Sequence, residues 1–312
     1  MYSPYVISLG NPEEKLSYLR QNGLFPVLVP GVNGKLLTDE QITASVSPWH
    51  RVFGPKSAIG CAMSHIEVWK MIRDSGEDYG IIMEDDVILE REFTEKLTIA
   101  LENVPDDYDI LYLGCFGSEG ESNFFTVTMN MLGMSNPSSV VNRYIKRPCV
   151  ALGTHAYILS RKGVEKLIEK LDGAVYNHID YCLQDLASRG VLNVYVTTPR
   201  IAYQTSTDAG YSENISSSHP SSVQRYLENI EVDKMVRASY IASLSICRIG
   251  DTNLNILSIV FLILGVMFSL CGIGSNWITS FYMFISYSDF YLQPSGIIWI
   301  HYLLLILPSL TI

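Results

Sequence analysis

The chain has 312 residues, enough for one large domain or two smaller ones, and a formal net charge of −10. That acidity excludes a surface built to bind nucleic acid, which is ordinarily basic. The six cysteines (61, 115, 149, 182, 247 and 271) are scattered, with no CxxC pair, and read as reduced thiols rather than a disulfide framework.

From the N-terminus, Tyr5 to Leu9 reads as a short strand, Pro12 to Asn22 as a helix-compatible segment and Phe25 to Val29 as a second strand. The turn residues Pro30-Gly31 and Asn33-Gly34 follow. This strand, helix, strand order predicts an α/β sheet. Met1 to Pro4 shows neither a basic nor a long apolar region, so no secretory signal is expected. Ser45 to Lys56 holds two prolines and a glycine and reads as a loop. Ser57 is placed to cap a helix running to about Arg73, with Ile59, Met63, Ile66 and Ile72 at core-facing spacing. On that helix a lone histidine, His65, reads first as structural.

Tyr79 to Leu89 is an apolar run interrupted by Glu84, Asp85 and Asp86. An apolar run of this kind reads as a buried strand, and an ionised carboxylate is costly to bury unless paired or bound to a cation. In a regular strand Glu84 and Asp86 project together while Asp85 faces away. Two readings stand: a solvated acidic turn, or a site for Mg²⁺ or Mn²⁺, which favour carboxylate oxygens and leave positions open to phosphate. On the second reading Asp86 and Glu84 are the candidate metal ligands.

Phe93, Leu97 and Leu101 mark a further amphipathic helix, and Asp109 to Gly114 a strand. Residues 115 to 148 read as an irregular insertion. Gly153 to Ser160 is a strand entering a helix over Lys162 to Leu171, and Asn177-His178-Ile179-Asp180 opens another helix that runs to about Arg189. An acid such as Asp180 near a helix N-terminus is commonly a cap. Leu192 to Thr197 is a last strand, stopped by Pro199, and residues 205 to 222 read as a loop.

The C-terminal part changes character. No Lys or Arg follows Arg248, and Leu254 to Ile273 is a run of twenty uncharged residues, long enough to span a bilayer. A second apolar stretch covers Ile297 to Ile312, and Trp277, Tyr282, Tyr287, Tyr291 and Trp299 resemble interfacial aromatics. The expectation is a C-terminal transmembrane anchor. Lys234, Arg237 and Arg248 just before it would keep the N-terminal part cytosolic. The expected layout is an α/β domain over 1–220, a helical linker over 221–250 and a membrane-anchoring region over 251–312.

Several segments, in order, resemble glycosyltransferase family 25, the lipopolysaccharide-type galactosyltransferases. They are Val6-Ile7-Ser8-Leu9, Pro30-Gly31-Val32-Asn33-Gly34, Ile59-Gly60-Cys61-Ala62-Met63-Ser64-His65 and Ile81-Ile82-Met83-Glu84-Asp85-Asp86-Val87. Gly153-Thr154-His155-Ala156-Tyr157, Asp180, Gln204, Ser212 and Ile215 follow, so the resemblance covers about residues 4 to 216. Two positions depart from the family pattern: Lys15 or Arg20 stands in for an early arginine, and Ala58 occupies the place of a glutamate.

The resemblance implies a GT-A-like nucleotide-sugar-binding fold, with a mixed central sheet flanked by helices. It implies inverting transfer of a hexose, galactose favoured, from UDP-galactose or UDP-glucose to a glycan, glycolipid or glycoprotein hydroxyl, with Mn²⁺ or Mg²⁺. Asp180 is then the candidate catalytic base. Ser8, Ser64, His65, Glu84, Asp85, His155 and Gln204 are candidates for donor binding, and Asp86 and Glu84 for metal. Lys15 or Arg20 would face the diphosphate. Ala58 motivates the alternative, a catalytically silent membrane protein that binds a nucleotide sugar or glycan. The absence of a GxxxxGK[ST] loop argues against a P-loop phosphotransferase.

Overall fold

The structure is a computed structural model. It describes residues 2–10, 12–118, 124–204, 226–233, 236–250 and 252–257, and single positions at 259, 260, 263 and 267. The chain divides into two compact units, Met1–Arg51 with Lys56–Thr205, and Val52–Pro55 with Ser206–Ile312.

The first unit is built on an eight-stranded mixed sheet. Its strands are β1 (Tyr5–Ser8), β2 (Val27–Pro30), β3 (Tyr79–Glu84), β5 (Ile110–Phe116), β6 (Ser139–Val140), β7 (Ile145–Arg147), β8 (Leu152–Ser160) and β9 (Val194–Thr197). They lie in the order β2-β1-β3-β8-β5-β9-β7-β6. β1 is parallel to both β2 and β3, and β8 runs antiparallel to its neighbours β3 and β5. The mixed sheet expected from the sequence is present. β6, β7 and a helix, α6 (Phe124–Met131), fall in the stretch expected to be irregular.

Period-two alternation sorts the strand residues onto two faces. Ile7, Ile82, Ile110, Tyr112, Tyr157 and Val196 join one core, and Val6, Ile81, Met83, Leu111, Ala156 and Ile158 join the other. The first core also takes residues of α4 (Lys56–Ser75), α7 (Arg161–Leu171) and α8 (Ile179–Ser188). The second takes residues of α1 (Glu13–Gln21) and α5 (Phe93–Asn103).

Two short helices, α2 (Asp39–Ser45) and α3 (Pro48–Phe53), escaped the sequence reading. Thr38 and Gln41 form a reciprocal capping box that starts α2. Pro48 opens α3, the helical position where a missing N–H costs nothing. The prolines read as loop markers were helix starters. Ser57 does not cap α4, which begins at Lys56, and its Oγ has no hydrogen-bond partner among the described residues.

The acidic run does not continue as one strand. β3 ends at Glu84, residues 85 and 86 turn, and β4 (Val87–Leu89) pairs antiparallel with β10 (Ala202–Gln204) in a separate ribbon. The alternation argument therefore stops at Glu84.

The transmembrane expectation is corrected. Among the described residues no helix is long and apolar enough to cross a membrane. The expected span would start at Leu254, but Leu254 and Asn255 are buried residues of a strand, Thr252–Asn255, which forms an antiparallel hairpin with Ser245–Ile249. Absence of charge marks burial of any kind, and here the run begins in a hairpin. The remainder of that run, apart from 256, 257, 259, 260, 263 and 267, lies outside the described residues, as do 205–222 and 297–312.

Candidate active site at the carboxyl ends of the parallel strands

The strand order 2-1-3 reverses direction between β1 and β3. In open α/β sheets ligands bind at such a switch point, outside the carboxyl ends of the strands. The register Ile7↔Glu84 sets Ser8 beside Asp85 at that crevice. Ser8 Oγ donates to Asp85 Oδ2.

The three acids diverge, each to its own partner. Glu84 Oε1 accepts from Thr154 Oγ1 at 2.5 Å and lies 3.3 Å from His65 Nε2. Asp86 Oδ2 accepts from the Gln204 amide at 2.5 Å, across the β4–β10 ribbon. Asp86 Oδ1 is buried and has no hydrogen-bond partner among the described residues.

Their electrostatics diverge as well. Burial pushes the Glu84 carboxyl up, but His65 and the Thr154 hydroxyl, helped by His155, outweigh it and leave the group below its usual value. Asp86 is pushed up to about 8, by burial first and then by Glu84 and Asp85, against the opposing pull of Gln204 and Lys15. Two acids two residues apart thus favour opposite protonation states. The orphaned Oδ1 beside a carboxylate is a place where a cation would relieve both repulsion and desolvation. Carboxylate oxygens of this kind are the donors that hard divalent ions favour.

Helix α4 brings His65 to the strand ends because its first turns pack backbone to backbone on the loop after β2. A Cβ on Gly60 would lie 2.5 Å from Val32 O, and one on Gly34 would lie 1.9 Å from Lys56 O. Ser64 Oγ locks the contact, donating to Gly60 O and accepting from Val32 N, both at 2.8 Å. Ser64, expected at the donor, is thus occupied in holding the helix to the loop. One stripe further round, Cys61, His65 and Trp69 follow at i, i+4 and i+8 and share a face. Tyr157 Oη accepts from Trp69 Nε1 at 2.9 Å and lies 2.9 Å from His65 Nδ1.

The remaining candidates gather around this centre. Asp180, in the first turn of α8, accepts from Gly153 N at 3.3 Å through Oδ2 and from Tyr181 N at 2.8 Å through Oδ1. Burial holds the Cys61 thiol well above its usual value, and the nearby carboxylates of Glu84, Asp180 and Asp86 add to that. His155 is buried against the Phe116 ring, with 5.5 Å between ring centroids. A Cβ on Gly114 would meet its Nε2 at 2.7 Å and Ala202 O at 1.9 Å, so only glycine fits there. Of the two early cations, Lys15 acts on Asp86 and donates to Val87 O at 2.7 Å, whereas Arg20 is exposed. Ala58 is buried within α4. Ser212 and Ile215 lie outside the described residues.

Thr154, Tyr157 and Trp69 were not singled out from the sequence as site residues. Trp69 was the most findable, since it continues the Cys61–His65 spacing by one more turn.

Residues 1–183 match the family described as "Glycosyltransferase family 25 (LPS biosynthesis protein)". The chain belongs to glycosyltransferase family 25. Among curated proteins it is similar to procollagen galactosyltransferase 2 of Homo sapiens, 32% identical over 100 residues that make up 28% of this chain and 16% of that protein. Procollagen galactosyltransferase 1 of Danio rerio is 24% identical over 169 residues, 50% of this chain and 26% of the relative. A glycosyltransferase 25 family member of Aedes aegypti is 23% identical over 180 residues, 53% and 28% of the two chains. The matched stretch thus spans less than a third of each relative's own length. The solved structure of A197 from STIV covers 65% of this chain and 85% of its own at 14% identity, with a TM-score of 0.36, too low to carry an argument.

Proposed function

We propose that the chain is an inverting glycosyltransferase of GT-A-like fold, moving a hexose, galactose favoured, from a nucleotide-sugar donor to a hydroxyl of a glycan-bearing acceptor. Family membership and relatives named as galactosyltransferases support the class of reaction. The observation that carries the site assignment is Asp86 Oδ1, buried, unpartnered among the described residues and set beside Glu84.

Asp86 and Glu84 would hold Mn²⁺ or Mg²⁺. Such an ion, when bound, neutralises charge developing on the departing nucleoside diphosphate. Ser8 orients Asp85, and Gln204 orients Asp86, so each carboxylate is aimed before substrate arrives. Lys15, already directed at this cluster, supplies positive charge on the diphosphate side. Asp180 is the base that takes the proton from the acceptor hydroxyl as it attacks from the face opposite the leaving group. Thr154 holds the Glu84 carboxylate by its hydroxyl, and His155 stands close enough to act on its charge.

The test is to incubate the purified chain with UDP-galactose or UDP-glucose and Mn²⁺ and to measure UDP release. Turnover is expected with at least one donor, and its loss in Asp86→Ala. Donor binding without turnover across a panel of acceptors would favour a silent binding protein. A panel in which no nucleotide sugar raises the melting temperature overturns the reading altogether.

A further inference from the structure

Glu84 faces two different ligand sets. On one side is Asp86, a second carboxylate. On the other are a thiol and an imidazole, both from α4. Cys61 and His65 are one helical turn apart, the i, i+4 spacing that sets two side chains on one face. The Cys61 sulfur, a His65 ring nitrogen and a Glu84 oxygen all lie within 4.8 Å of one another. His65 is buried, and its Nε2 makes no aligned hydrogen bond among the described residues although it is 3.3 Å from Glu84 Oε1.

We propose that Cys61, His65 and Glu84 form a binding site for a borderline transition cation of the Zn²⁺ or Co²⁺ kind, separate in its chemistry from the Asp86 carboxylate.

Ligand type is the first reason. Thiolate and imidazole select Zn²⁺ and Co²⁺ over Mg²⁺ or Mn²⁺, which favour all-oxygen sets. Geometry is the second. Ligand atoms around a tetrahedral ion stand about 3.3–3.8 Å apart. The His65–Glu84 pair is already at that separation, and the Cys61 sulfur lies within 4.8 Å of both.

The third reason is the support behind each ligand. Tyr157 Oη holds His65 at Nδ1, the nitrogen that faces away from the cluster, and Trp69 fixes that hydroxyl in turn. Thr154 holds the Glu84 carboxylate. Such outer partners are the usual companions of metal-bound histidine and carboxylate. Three protein ligands leave a fourth position open.

On binding, the Cys61 S–H bond breaks as the sulfur–metal bond forms, and the proton leaves to buffer. Because Glu84 belongs to both sets, a cation here withdraws it from Asp86, and hard and borderline ions compete for the chain.

The inference does not depend on glycosyl transfer, so its test reads ligands rather than turnover. The purified chain, stripped of metal with a chelator, is titrated with Co²⁺ under thiol-free reducing conditions. The expected result is a thiolate-to-cobalt charge-transfer absorption saturating at one equivalent and bleached by Zn²⁺. Cys61→Ser should remove the band. His65→Gln should weaken Co²⁺ binding at least tenfold, as should Tyr157→Phe. Asp86→Asn should keep the band. Absence of a thiolate band in the wild-type chain overturns the site. So does a band that survives Cys61→Ser, or affinity unchanged in folded His65→Gln, or loss of the band in Asp86→Asn.

Discussion

The two faces of the central sheet are equally well buried but differently composed. Beneath α1 and α5, the strands contribute Val6, Ile81, Met83, Leu111, Ala156 and Ile158, with Tyr195 of β9 beside them. Beneath α4, the corresponding layer includes Tyr157 and Tyr112, with His65 and Trp69 buried above it. That face carries a file of hydrogen-bonded groups, Trp69 to Tyr157 to His65, with Glu84 lying 3.3 Å beyond the imidazole. One face supplies stability by apolar burial. The other gives up some of that burial to orient groups at the strand ends.

The largest effect expected from this contrast is a pH dependence originating where the polar face ends. Asp86 titrates near 8 in the folded chain and near 3.8 when unfolded. Between those values the folded state keeps a proton that the unfolded state has lost. Stability therefore falls as pH rises from about 4 to about 8 and levels off above, by on the order of 5 kcal/mol at full width. Asp86→Asn should flatten the profile, measured by urea denaturation across that range in chelator. A wild-type profile without this slope would remove Asp86 as the buried charge.

Next in size is a cut into the apolar face. Leu111→Ala should cost about 2–5 kcal/mol, as buried truncations do, while leaving Co²⁺ absorption and nucleotide-sugar binding unchanged. If it altered either, the division of labour between the faces would fail. Tyr157→Phe should cost less, about 1–3 kcal/mol, because the Trp69 N–H loses its buried acceptor. Unlike Leu111→Ala it should also disturb the site. Smallest is Lys70→Ala on the outer side of α4, where the pair with Asp172 at 3.2 Å is partly exposed. Its loss should cost less than about 1 kcal/mol and nothing at the site.

The parts legible in the sequence are those governed by local periodicity. The apolar run Ile81, Ile82, Met83 identified a buried strand, and the spacing along 59–72 identified the helix above it. The pairing of Glu84 with His65 followed from neither. It depends on how deeply α4 sits, which the close approach of Gly60 to Gly34 decides. Asp85 and Asp86 were misplaced by extending strand geometry through a turn. The turn exists because Val87–Leu89 pairs with residues 202–204, a partner no local pattern announces. The uncharged run from Leu254 was read from its length, lack of charge and flanking aromatics, and none of these reveals that its first two residues belong to a hairpin strand.

The pairing of Asp86 with Gln204 joins residues 118 positions apart. Chains emerge from the ribosome N-terminus first and fold as they emerge. Throughout synthesis of the intervening residues, β1, β3 and α4 are available to assemble, yet Asp86 has no amide to meet. The amide that aligns Asp86 is therefore missing from the crevice until residue 204 has been made. The carboxylate is held in place only once the ribbon of Val87–Leu89 and Ala202–Gln204 closes.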